Sequence, residues 1–75
     1  MNLVNAKQNA FIKFVSFTNL MKDYRQKLID LGFIPGEKMK VLTSKEDGFI
    51  TVLLRGTRLA IDNESASKIL VKEEK

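Results

Sequence analysis

Leu28-Ile-Asp-Leu-Gly-Phe-Ile-Pro-Gly36 divides the chain into two periodicities. Upstream of it, Leu20, Tyr24, Leu28 and Leu31 step by four, four and three, which puts them on one stripe of a helix. Lys22, Asp23, Arg25, Gln26 and Asp30 fall mostly on its other faces. Gly32 follows the last periodic residue, where a left-handed conformation closes a helix, and Pro35 forbids the helix from resuming. Pro35-Gly36 reads as a turn, since proline presets its first corner and glycine tolerates the positive dihedral of its second. Beyond the turn, in Glu37 to Thr43, Met39 and Val41 alternate with Lys38 and Lys40, the period of a half-buried strand.

The same reading extends in both directions. Upstream, Asn9 to Phe17 carries Phe11, Ile12, Phe14, Val15 and Phe17 on both parities, which implies a strand covered on both sides or one with a bulge. The helix is expected to begin near Thr18 or Asn19, either of which can cap it. Downstream, Asp47-Gly48 signals a hairpin, and Phe49 to Arg55 returns with Ile50, Val52 and Leu54 on one face. Gly56 turns the chain into Thr57 to Ile61, whose Leu59 and Ile61 point inward. Asp62 or Asn63 caps a single helical turn through Ser67, and Lys68 to Val71 forms a last strand. About five short antiparallel strands, one helix after the first and one helical turn before the last suit a small barrel, whose closure hides strand edges. The mixed-sign Lys72-Glu-Glu-Lys75 ending reads as a solvated tail.

Composition narrows the function. Residues 1–75 make a single domain with one core, and a chain this short buries only about 60 to 65% of its unfolded surface. Cysteine and histidine are both absent. That removes the thiolate nucleophile, the usual general base and the commonest transition-metal ligands, so neither an enzyme nor a resident metal or cofactor is expected. The nine acidic residues show no ligand-loop spacing, and oxygen donors alone favour magnesium, calcium or manganese over ferrous iron. The apolar residues near the amino terminus are interrupted by Lys7 and Lys13, with no membrane-spanning run and no cleavage signal, which reads as a cytoplasmic protein. A net charge of +4 and a pI near 9.6 permit contact with nucleic acid or an anionic membrane surface.

Leu31-Gly-Phe-Ile-Pro-Gly36 together with Arg55-Gly-Thr-Arg-Leu-Ala-Ile61, followed by Ala66 and Lys68-Ile-Leu-Val71, resembles the ferrous iron transport protein A (FeoA) family. The likeness runs over residues 20 to 71. It implies a mainly β, SH3-like barrel that serves as accessory to FeoB, the GTP-driven ferrous iron permease of bacteria. Two departures accompany it. Many members carry a longer loop with a glycine-aspartate-proline element where this chain has Lys45-Glu-Asp-Gly48, and a basic residue often stands where Asp62 is. Roles at those positions do not carry over.

Gly32, Pro35, Gly36, Gly48 and Gly56 are read as serving turn geometry. Phe33 and Ile34 are either tucked under the barrel rim or left for a partner, and if exposed they are the best anchors. Lys38, Lys40, Arg55 and Arg58 fall on the outward parity of adjacent strands. They form either a solvated face or a patch that docks on acidic protein surface or on nucleic-acid phosphates. Recognition of proline-rich peptides needs an aromatic-lined groove, which a chain without tryptophan and with one tyrosine is poorly equipped to build. The expected function is therefore non-enzymatic docking on the cytoplasmic part of an FeoB-like permease through Phe33, Ile34, Lys38, Lys40, Arg55 and Arg58. The alternatives are a basic barrel that binds nucleic acid, or a stand-alone module like the carboxy-terminal SH3-like domain of iron-dependent repressors.

Overall fold

The computed structural model describes residues 1–74, apart from the side chains of Lys45 and Glu46; Lys75 lies outside it. After a 3-10 turn at Leu3–Asn5, the chain forms β1 (Phe11–Phe17), α1 (Lys22–Leu31), β2 (Lys38–Glu46), β3 (Phe49–Leu54), β4 (Thr57–Asp62), α2 (Asn63–Ala66) and β5 (Ile69–Glu73). All five strands join one antiparallel sheet in the order β4-β3-β2-β1-β5. The mainly β architecture, with a helix after the first strand and one helical turn before the last, is the one expected.

Alternation explains which face is buried. Ile50, Val52 and Leu54 of β3 are fully enclosed, opposite Met39 and Val41 of β2, and Ile12 and Phe14 of β1 meet Ile69 and Val71 of β5 over the same core. The mixed parity of β1 is resolved by a register shift between Phe14 and Ser16 against β5, which leaves Val15 on the surface.

The helix-to-strand transition forms as read. Gly32 adopts φ +120°, its N–H donates to the Ile29 carbonyl at 3.0 Å, and the Phe33 N–H donates to the Leu28 carbonyl at 3.0 Å. In the next turn Gly36 has φ +89° and the Glu37 N–H donates to the Ile34 carbonyl at 2.9 Å. That turn is stitched to β1, because the Gly36 N–H donates to the Phe14 carbonyl and the Phe14 N–H to the Glu37 carbonyl, each at 2.9 Å.

Several boundaries differ from expectation. Neither Thr18 nor Asn19 caps α1; the cap position is Met21, with no side-chain cap bond. Thr18 is engaged elsewhere, its N–H 2.8 Å from the Lys68 carbonyl, and Asn19 sits at φ +49° in the turn that leads the chain away from β1. Leu31, assigned to the buried stripe, is 46% exposed, since Gly32 reverses the chain and sends Phe33 into the core in its place. Lys72, Glu73 and Glu74, expected in a solvated tail, continue the pairing with β1: Lys13 opposes Lys72, Ile12 opposes Glu73, and the Glu74 N–H donates to the Phe11 carbonyl at 2.8 Å.

Among the described residues no ladder joins β4 to β5. The connection there is α2, whose Ala66 is fully buried, and the outer edge of β5 is covered by the chain's first residues. The Met1 ammonium donates to the Val71 carbonyl at 3.1 Å, the Val71 N–H donates to the Met1 carbonyl at 2.8 Å, and Asn2 bridges Leu70. Leu3 and Ala6 then enter the core.

Candidate functional site

The β1 bulge and the Gly32 reversal together create a concavity. An apolar groove of about 290 Å³ runs between the second half of β1 and the end of α1, lined by Phe14, Val15, Ser16, Phe17, Ile29, Phe33, Ile34 and Pro35. Its floor is aromatic, contrary to the expectation that a chain so poor in tryptophan and tyrosine builds no such groove, because three phenylalanines supply the rings, with Phe14 and Phe33 buried. The Phe14 and Phe33 rings meet edge-to-face with centroids 5.6 Å apart, and Phe17 tilts against Phe14 at 4.6 Å. Its rim is aliphatic, with Val15, Ile29 and Ile34 all substantially exposed.

The expected anchor pair therefore separates. Phe33 is 1% exposed and belongs to the floor and the core, so it is not available as a surface contact, because its ring completes the cluster that holds α1 on β1. Ile34 is 45% exposed on the rim. Val15 and Ile29 were missed as groove residues. Val15 carried a signal in the mixed parity of β1, whereas Ile29 gave none beyond lying off the helical stripe.

The basic residues divide as well. Lys38 and Lys40 lie on the outer face of β2, with Lys40 opposite both Phe11 and Leu53 and Lys38 opposite Lys13. Arg58 stands two strands from Lys40, across Leu53. Arg55 occupies the β3–β4 turn, where its Nε lies 3.0 Å from a Glu37 carboxylate oxygen and its stem lies over Gly32. It ties that turn to the end of α1. Lys13 and Lys72, not singled out in the sequence, join Lys38 in one row across β5, β1 and β2.

A second, more polar cleft of about 250 Å³ separates α1 from α2 and is lined by residues including Tyr24, Asp62, Glu64 and Lys68. Asp62 caps α2, accepting the Ser65 N–H at 3.0 Å. Hydrogen bonds from Ser65, side chain first and backbone second, hold its carboxyl below the ordinary carboxylate value. Among the described residues no group of three or more carboxylates is placed to hold a metal ion, and no helix is long and apolar enough to cross a membrane.

The FeoA domain model matches residues 1–73 of the chain. The chain belongs to the FeoA family. Membership implies a role in ferrous iron transport. A crystal structure of an iron uptake regulatory protein, FeoA, superposes with a TM-score of 0.83 at 27% identity, covering 99% of this chain and 96% of that one. The FeoA protein of Chlorobium tepidum gives 0.88 at 28% identity, over 100% of this chain and 71% of that one. IdeR of T. acidophilum gives 0.85 at 19% identity, over 99% of this chain and 34% of that one. At that identity the likeness establishes the fold alone, an SH3-like module shared between FeoA proteins and a third of a longer chain. No curated protein matches the chain by sequence.

Proposed function

We propose that this FeoA-family chain acts without catalysis, by docking on the cytoplasmic part of an FeoB-like, GTP-driven ferrous iron permease. The apolar groove carries this reading. Its floor is rigid, because three packed rings hold α1 against β1. Its rim presents Val15, Ile29 and Ile34 to whatever covers it. Small folded chains keep few such apolar patches exposed without a partner, and a preformed groove takes an apolar side chain with little ordering cost. Docking alters the permease only if the groove prefers one of its conformations, for instance one of its nucleotide states.

The experiment is titration of the purified protein against the soluble domain of an FeoB-like permease in each nucleotide state, beside a titration against oligonucleotides at two salt concentrations. Ile34→Asp and Val15→Asp are expected to abolish docking with little change in melting temperature, since both side chains are already partly in water. Normal docking by both variants would remove the groove from the mechanism. Salt-sensitive oligonucleotide binding without permease binding would replace the reading with nucleic-acid recognition.

A further inference from the structure

The outer face of the sheet sets aside a rule of strand pairing. Lys13 of β1 stands directly opposite Lys38 of β2 and, on its other side, directly opposite Lys72 of β5. Like charges at opposed positions of antiparallel strands lie within about 5 Å at Cβ and weaken the sheet. A single carboxylate offsets the row: Glu74 Oε2 lies 3.4 Å from Lys13 Nζ, and its Oε1 lies 3.5 Å from Lys38 Nζ. In the adjacent row Lys40 opposes Phe11, with its Nζ 5.4 Å from the ring centroid. Phe11 is 58% exposed, and Val15, further along β1, is 45% exposed. One face thus interleaves four lysines with two exposed apolar side chains, at a cost to the sheet that packing does not require. Local rules broken without a packing gain point to function.

We propose that this face seats the protein on the anionic headgroups of a phospholipid bilayer. Each lysine near such a surface is attracted to it, and the long stems let the ammonium groups reach phosphates while Phe11 enters the interface. A fluid layer of headgroups adapts to the protein, so the face needs no shaped cavity. Single-stranded nucleic acid fits less well, because it is gripped by successive bases stacking on several rings, and the four lysines are interleaved with a single ring, Phe11. The face borders the apolar groove at Val15, so a protein seated this way holds the groove beside the membrane. The inference extends the docking reading but does not depend on it, and its test contains no permease.

The test is flotation of the full chain with vesicles of phosphatidylcholine alone and of phosphatidylcholine mixed with phosphatidylglycerol, at low and high salt. Binding is expected only to the mixed vesicles and is expected to weaken with salt. The double variant Lys38→Gln, Lys72→Gln loses about thirty-fold in affinity, at about five-fold per lysine. Glu74→Gln moves the other way: it frees two lysines, tightens vesicle binding and leaves the protein less stable. A purely structural role for the row predicts no more gain from Glu74→Gln than from Asp23→Asn, which makes the same change of net charge on α1. Equal binding to both vesicle types, or unchanged binding by the lysine variant with its melting temperature intact, would overturn the proposal. Tighter retention of an oligonucleotide or a poly-glutamate peptide than of the mixed vesicles would overturn it too, reassigning the face to that partner.

Discussion

Gly32 is constrained twice. Its φ of +120° is one that side chains rarely adopt, and a Cβ there would lie 3.0 Å from Arg55 Cδ and 3.4 Å from Leu54 Cδ2. Gly56 shares the first constraint, at φ +77°, but has nothing within 4 Å of such a Cβ. Gly56→Ala should therefore cost about 1–2 kcal/mol, the ordinary left-handed penalty, and Gly32→Ala distinctly more. At roughly 4–8 °C per kcal/mol for a domain this small, thermal melts resolve the two, and coincident melts would remove the Arg55 contact from the account. Phe33→Ala should cost about 3–5 kcal/mol, while Ile34→Ala leaves the melt nearly unchanged. This is also where sequence reading stopped for the candidate site. Phe33 and Ile34 are adjacent, both apolar and both outside regular structure, and only the packing of Phe14 and Phe17, brought in by β1, tells floor from rim. Arg55 was read as a contact for the same reason, since its sequence neighbourhood gives no hint of Glu37 or Gly32 beneath it.

Among the elements, α2 depends most on one side chain. It is four residues long, too short to persist without its cap, and Asp62 supplies that cap through the Ser65 N–H. Asp62→Ala should cost about 1 kcal/mol, whereas Asp62→Asn retains an acceptor and costs less. The folded carboxyl titrates below its unfolded value, so its contribution is complete above the ordinary carboxylate range and is lost as pH falls through the folded value. The gap in urea midpoint between Asp62→Ala and the natural protein should narrow from neutral pH into acid, toward the smaller difference set by the acceptor that a protonated carboxyl shares with Asp62→Asn. A gap that does not narrow in acid would mean the cap does not act through its charge. This element was legible, because an acidic residue before Asn-Glu-Ser is a local signal. The start of α1 was not, because Thr18 was claimed by the Lys68 carbonyl, fifty positions away in sequence.

For the molecule as a whole, turns were readable and closure was not. Gly32, the Pro35-Gly36 turn and the two hairpins after β2 and β3 follow from dihedral preferences of neighbouring residues, and with them the strand order β4-β3-β2. What seals the barrel follows from no neighbour: Leu3 is fully buried, and Met1 and Asn2 line the edge of β5. Leu3→Ala should cost about 2–5 kcal/mol, a large share of the roughly 4–11 kcal/mol that a domain of this length possesses. A urea midpoint within error of the natural protein's would show that the amino-terminal turn is ornamental. The pairing of β1 with β5 has a further consequence in time. A ribosome releases β1 and α1 first, yet β1 lacks its outer neighbour until Ile69–Glu73 has emerged. Phe14 and Phe17 then stand without Val71 and Ile69 beside them. The β2–β4 meander can zip as it appears, and every residue that lines the groove has emerged by then, but the long-range ladder must await β5, so the nascent chain completes its basic face, with Lys72 and Glu74, in a single late step.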